Sequence, residues 1–325
     1  MKPQLSEYIT PLLLRNGHTH TIFAYTRRRD GGVAYQRERI TTADDDFLDL
    51  DWLKNKQSDH LVIISHGLEA SSNTGYVCSL AGKLHRAGHT VLAWNFRGCS
   101  GEPNRHIYSY HSGKSEDLAA VISHAVTVEN PRFISLVGFS IGGNITLKYL
   151  GEAGSKVSSK ILCAVTCSTP VDLAGSASEM ASFRNWIYMK RFLNHFYRRM
   201  KEKKKIYPEV DISGFSKLKN FHDYDNRYTA PLNGYKNAEH YWQENSSLYY
   251  LSEIKVATLM LSSYDDPFLS KSCYPEIKNM HIQTLYTKHG GHVGFMNDYS
   301  GRSLWSEEMI LGFINDKQSK AVKTN

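Results

Sequence analysis

No stretch of this 325-residue chain approaches the roughly 18 to 20 consecutive apolar residues that cross a bilayer, so no transmembrane helix is expected. The opening residues, Met1-Lys2-Pro3-Gln4-Leu5-Ser6-Glu7, lack the basic-then-apolar order of a secretory signal. Cysteine is sparse: five residues, at 78, 99, 163, 167 and 273, without metal-ligand spacing. Such a set points to buried, reduced thiols and a cytoplasmic protein. Repeats and low-complexity segments are absent. Apolar residues make up 41%, enough for a sizeable core, so disorder is not expected.

What is present is a stretch with a mechanism attached, Gly138-Phe139-Ser140-Ile141-Gly142. It follows the β-type run 133–137 and opens a helix-like run at 145–150. Gly-x-Ser-x-Gly between strand and helix describes a nucleophile elbow. The chain reverses so tightly there that side chains two residues either side of the serine would clash, and glycine removes the clash. The serine hydroxyl is left exposed at a helix N-terminus, where backbone N–H groups and the helix dipole favour a developing oxyanion.

Partner residues follow in order. The strand-like run Val256-Ala257-Thr258-Leu259-Met260-Leu261 leads to Tyr264-Asp265-Asp266-Pro267, and the run 282–286 leads to His289-Gly290-Gly291-His292. Serine, acid after a late strand, then histidine after the last strand is the chain order of an α/β-hydrolase triad. Ser140 would attack, His292 would take and return its proton, and Asp266 would fix the tautomer of the histidine. Asp266 is preferred over Asp265 because Pro267 constrains the residue before it. Asp172, after the strand at 161–165, is a third candidate acid, read more readily as a turn or helix cap. His292 has small neighbours, whereas His289 reads as a rim histidine.

A further run, 61–64, ends in Ser65-His66-Gly67-Leu68-Glu69, about seventy residues before the serine. In that position the backbone N–H of Leu68, with that of Ile141, would form the oxyanion hole. His66 is expected to brace the loop. Arg97, in Asn95-Phe96-Arg97-Gly98, reads as a structural side chain satisfying carbonyls. Gly113-Lys114-Ser115 invites a phosphate-loop reading, but the upstream glycine of that pattern is missing. Ser112 or Ser115 is expected instead to cap a helix. His18 and His20 lack companions for a metal site and are expected to make hydrogen bonds. Asp44, Asp45 and Asp46 with Asp49 and Asp51 read as a turn into a strand with one wet face, not a calcium loop. Neither metal nor cofactor is expected.

Several stretches together resemble the YheT-like α/β hydrolases, bacterial relatives of the abhydrolase-domain lipases and esterases and of yeast medium-chain ethanol acyltransferases. They are Asn16-Gly17-His18-Thr19-His20-Thr21, 46–52, His66-Gly67-Leu68-Glu69, 95–104, 138–144, 229–234, Asp265-Asp266-Pro267-Phe268 and 290–295, which cover nearly the whole chain. The resemblance implies Ser140, Asp266 and His292 as triad and an esterase or lipase-like activity. It also implies a soluble type, since the eukaryotic relatives carry an N-terminal anchor.

The expected architecture is an α/β-hydrolase fold: a mostly parallel central sheet flanked by helices, with a helical cap insertion. An N-terminal arm would occupy residues 1–30, the core 31–173 and 251–325, and the cap 174–250. Strands are expected near 34–40 and 47–52, and helices near 75–87, 114–128, 141–152 and 303–315. Residues 181–205 hold nine Lys/Arg and one acid, a net +8 against +7 for the whole chain. Apolar residues Phe183, Trp186, Ile187, Met189, Leu193, Phe196, Tyr197 and Met200 fall near helical spacing there. The preferred reading is a cap helix packing this face over the active site, the sharper one peripheral contact with an anionic membrane. Nucleic acid is not expected, as no binding module is visible. The expected substrate is a small acyl ester. Transfer to an alcohol acceptor, or a non-catalytic membrane-surface module on the same fold, remain the alternatives.

Overall fold

The computed structural model describes residues 8–28, 32–302 and 304–324. Of the expected N-terminal arm, residues 1–7 and 29–30 lie outside them, as do residues 31, 303 and 325. Among the described residues eight strands form one sheet in the order β1-β2-β4-β3-β5-β6-β7-β8. They are β1 (Gln36–Thr41), β2 (Phe47–Leu53), β3 (His60–Ser65), β4 (Thr90–Trp94), β5 (Phe133–Phe139), β6 (Ile161–Cys167), β7 (Ala257–Ser263) and β8 (Ile282–Thr287). The β1–β2 and β2–β4 pairs are antiparallel, and from β4 to β8 every pair is parallel. This is the α/β-hydrolase architecture.

The apolar runs become strands because both faces of the sheet are covered. Along β3, Leu61 and Ile63 enter one apolar cluster while Val62 and Ile64 enter the other. Alternate side chains point to opposite faces, so a fully covered strand reads as an unbroken apolar run. Helices α2 (Gly75–Arg86), α3 (Ser115–Glu129), α4 (Ile141–Ala153) and the last helix (Trp305–Thr324) supply the cover. Ahead of them, α1 (Gly17–Arg27) follows a short turn at Leu12–Leu14.

Strand β3 pairs with β4 on one side and β5 on the other, so the strand order reverses there. In open α/β sheets a crevice forms at the carboxyl ends beside such a switch point. Between β6 and β7 the chain is helical: α5 (Leu173–Met180), α6 (Trp186–Ile206), α7 (Phe221–Tyr224), a π-helical turn (Asp225–Thr229), α8 (Ala230–Leu232) and α9 (Ala238–Asn245).

Three local expectations differ from the structure. Strand β2 has no wet face: Asp49 and Asp51 are buried. Each is held by a two-pronged guanidinium pair, from Arg39 and Arg37 respectively, and Asp51 also accepts from Ser72 and Asn95. Arg97 is likewise buried, but its partners are the carboxylates of Asp44, Asp46 and Asp117, not carbonyls. Neither Ser112 nor Ser115 caps α3, whose N-cap position is Lys114 with no side-chain bond; Ser115 Oγ donates to Glu152 instead.

Candidate active site

Strand β5 hands the chain to α4 through Ser140, whose φ of 52° and ψ of −123° lie outside the regions L-residues favour. Its neighbours must be small. A Cβ on Gly138 would fall 2.5 Å from the Gly142 carbonyl oxygen, and one on Gly142 would fall 2.3 Å from that of His66. Both are impossible contacts, so the two glycines of the motif are structural requirements of the turn.

From β8 the chain runs into the His292 loop, and from β7 into Asp266. The structure brings the three expected residues together. The Ser140 hydroxyl donates to His292 Nε2 at 3.1 Å, and His292 Nδ1–H donates to Asp266 Oδ2 at 2.9 Å and lies 3.1 Å from Oδ1. Asp266 is buried, and its Oδ1 also accepts from the Phe268 N–H at 2.9 Å. The Phe268 ring packs on His292 with centroids 4.3 Å apart.

The neighbouring candidates take other positions. His289 Nδ1 meets Asp265 Oδ2 at 3.1 Å, and Asp265 Oδ1 accepts from the Gly291 N–H at 2.9 Å. This second Asp–His pair lies beside the Ser140–His292–Asp266 hydrogen bonds and fixes the turn before His292. Asp172 is the N-cap of α5, accepting from the Gly175 N–H at 3.0 Å.

After β3, Gly67 passes directly over the serine: a Cβ there would lie 3.3 Å from Ser140 Cβ. His66 braces this turn through Nδ1 to the Gly67 carbonyl at 2.8 Å, while its Nε2 accepts from the Phe96 N–H at 3.1 Å. Burial pushes the imidazole of His66 down to about 3, so it is neutral. Ile141 is the first residue of α4, and the N–H of a first helical residue has no helical acceptor. Leu68 and Ile141 both line a cavity of about 120 Å³. Leu173, Phe196, Met200 and Phe221 supply apolar wall, and Glu69, Arg199 and Asp225 are the charged residues among its lining. Arg199 pairs with Glu69 at 2.8 Å. Asp225, accepting from Trp242 Nε1 at 2.9 Å, has its carboxyl raised by burial to about 6.

The sequence reading missed what holds the histidine loop. Helix α1 grips it at three alternate positions. The His292 N–H donates to Thr21 Oγ1 at 2.8 Å, Arg28 Nη2 donates to the Gly294 carbonyl at 2.9 Å, and the Met296 N–H donates to His20 Nε2 at 3.0 Å. Between them Val293 and Phe295 sit at φ of 57° and 47°, a costly geometry for residues with bulky side chains. Gly17 lets α1 come this close, since a Cβ there would lie 1.7 Å from the Asp265 carbonyl oxygen. His20 therefore makes the hydrogen bond expected of it, and burial holds it down to about 4. The signal was present in Asn16–Thr21, but nothing in that stretch names its partner.

Known proteins give the following likenesses. Residues 56–241 match the family described as "Serine aminopeptidase, S33". The protein named "Putative esterase YheT" from Escherichia coli (strain K12) is 30% identical over 95% of this chain and 93% of its own length. "Phospholipase ABHD3" from Bos taurus is 27% identical over 87% of this chain and 72% of its own, and "Monoacylglycerol lipase" from Saccharomyces cerevisiae 28% over 81% and 60%. Among solved structures, the esterase Pf2001 of Pyrococcus furiosus superposes with a TM-score of 0.58 at 19% identity, covering 88% of this chain and 94% of that one, a likeness of fold.

Proposed function

The chain belongs to the α/β-hydrolase family whose model matches residues 56–241, and from that premise we propose that it cleaves carboxylic esters through an acyl-enzyme on Ser140. That it is an ester hydrolase follows from the company it keeps: relatives named esterase, phospholipase and monoacylglycerol lipase align with most of its length. The finer reading rests on one observation. A single imidazole, His292, is within hydrogen-bond reach of both the Ser140 hydroxyl and the Asp266 carboxylate.

In this mechanism Ser140 Oγ attacks the ester carbonyl while its proton passes to His292 Nε2. Asp266 keeps the other ring proton on Nδ1, which leaves Nε2 free to accept, and stabilises the imidazolium once formed. The carbonyl oxygen becomes an oxyanion held by the N–H groups of Leu68 and Ile141 at the positive end of α4. Collapse expels the alcohol, protonated by His292. Water, deprotonated by the same imidazole, then attacks the acyl-enzyme, and the acid leaves. The acyl or alcohol portion occupies the 120 Å³ cavity beneath residues 174–250, which act as a cap. No cofactor enters the scheme.

Turnover of p-nitrophenyl esters by wild type and Ser140→Ala tests the reading, with an aminoacyl p-nitroanilide as the peptidase control. The expected result is ester cleavage that the alanine variant loses, with little anilide cleavage. Full ester turnover by Ser140→Ala would remove the nucleophile from the scheme. Product analysis with ethanol or glycerol present completes it: free acid in excess supports hydrolysis, and new ester in excess would make the enzyme an acyltransferase.

A further inference from the structure

The helical spacing of apolar residues at 183–200 suggested one packed face, yet the structure splits it. Met189, Phe196 and Met200 are buried, whereas Phe183 is 88% exposed, Ile187 58% and Trp186 51%. Helix α1 lies against the same part of α6. His18 stacks on Tyr188 with centroids 5.8 Å apart, and the Arg191 guanidinium stands 4.4 Å over the Tyr25 ring. On its outer side α1 leaves Ile22 and Tyr25 exposed. Single exposed apolar residues are ordinary; several on two contacting helices mark an interaction surface.

Cations stand among them. Arg184, Lys190 and Arg191 are exposed, and Lys190 Nζ lies 6.0 Å over the Trp186 ring. The basic cluster at the far end of α6 is a different matter: Lys203 is buried, its ammonium bonded to Asn104 and the His106 carbonyl, so it is not a solvated charge. The ridge is also close to the chemistry. Tyr188 packs on Phe268 at 4.8 Å, and Phe268 packs on His292.

We propose that this ridge, the N-terminal part of α6 with the outer side of α1, docks on the surface of an anionic lipid bilayer. Trp and Phe side chains settle at the headgroup level, while flanking Lys and Arg meet lipid phosphates. The open groove of about 790 Å³ beside Trp186, lined by Phe183, Met189, Leu193, Phe215 and Lys219, extends the same apolar surface. Charge complementarity selects this occupant. A second copy of the chain would bring Lys190 and Arg191 against their own like charges, whereas anionic lipid neutralises them; Arg184 already pairs with Glu179 at 3.0 Å and adds less. The proposal goes beyond the ester-hydrolase reading and does not rest on it, because docking and ester turnover are read out separately.

The test is co-sedimentation of the full chain with phosphatidylcholine vesicles, with and without phosphatidylserine. Wild type should partition onto the phosphatidylserine vesicles and release at high salt. Phe183→Asp with Ile187→Asp should weaken partitioning by roughly tenfold or more. Arg184→Glu with Lys190→Glu should abolish the preference for phosphatidylserine. All variants should keep wild-type turnover of a water-soluble p-nitrophenyl ester, which reports an intact fold. Absence of wild-type binding to phosphatidylserine vesicles would overturn the proposal. So would undiminished binding by the aspartate variant, or a wild-type dimer in sedimentation equilibrium that the same variant dissociates.

Discussion

The backbone N–H of His292 donates a 2.8 Å hydrogen bond to Thr21 Oγ1, joining residues 271 apart in the chain. Thr21 in turn donates to the Gly17 carbonyl at 2.6 Å, which fixes the hydroxyl as an acceptor toward the loop. A helix outside the strand–helix series thus sets the height of the His292 imidazole. Thr21→Val should lower kcat by roughly 10- to 100-fold with KM little changed, the cost of an orphaned buried donor. Thr21→Ser should restore most of it. Equal losses in kcat and thermal stability for both variants would reduce Thr21 to a structural residue.

Two adjacent carboxylates separate cleanly by role. Asp266→Asn should cut kcat by about 10⁴, because the amide stabilises the wrong histidine tautomer. Asp265→Asn should cost far less, since Asp265 bonds His289 and the Gly291 N–H, not the His292 imidazole. Steady-state kinetics of both variants check this, and equal losses would reassign the acid.

The cavity beside Leu68 and Ile141 holds about 120 Å³. Engineered apolar cavities of about 150 Å³ hold one benzene, so acyl chains of about four to six carbons should be preferred. Phe196→Ala or Met200→Ala should move the optimum to longer chains. A p-nitrophenyl ester series measures it; a monotonic rise to long chains in wild type would place the acyl group elsewhere.

Acid should destabilise the fold early. Burial pushes His20 and His60 down to about 4, and His66 and His111 to about 3, from an ordinary 6.5. These groups take protons on unfolding at pH values where the folded chain refuses them. Their contribution is whole above pH 6.5 and is lost as pH falls from there toward 3. Asp225 opposes them, because its folded carboxyl, raised to about 6, keeps a proton that the unfolded chain releases above 3.8. Over these five groups the balance at pH 5 is an uptake of about three protons on unfolding, a slope of roughly 4 kcal/mol per pH unit, to which lowered His89 and His195 add and raised Asp117 and Glu307 subtract. Denaturant melts between pH 5 and 7 check it, and a flat stability would contradict it.

The Ser140 turn and its partners were legible because each follows a β-type run, and the carboxyl ends of parallel strands converge at one rim. Glycine at 138 and 142 announces a turn that admits no side chain. Contacts made by one hydroxyl across 271 residues leave no such mark, so the grip of Thr21 on His292 was invisible. Strand β2 misled for a different reason: alternating Asp49 and Asp51 look solvated until Arg37 and Arg39 on β1 arrive to neutralise them. On α6, helical spacing identified an apolar population but not which members would be covered. That depends on neighbours the helix itself does not encode.

The central claim is a covalent one, and intact-protein mass spectrometry after rapid mixing with a short p-nitrophenyl ester tests it most directly. The account predicts a burst of nitrophenol matched by a single acyl adduct that maps to the Ser140 peptide, disappears on longer incubation, and is absent from Ser140→Ala. An adduct on another residue, or a Ser140→Ala variant with the same burst, would contradict it.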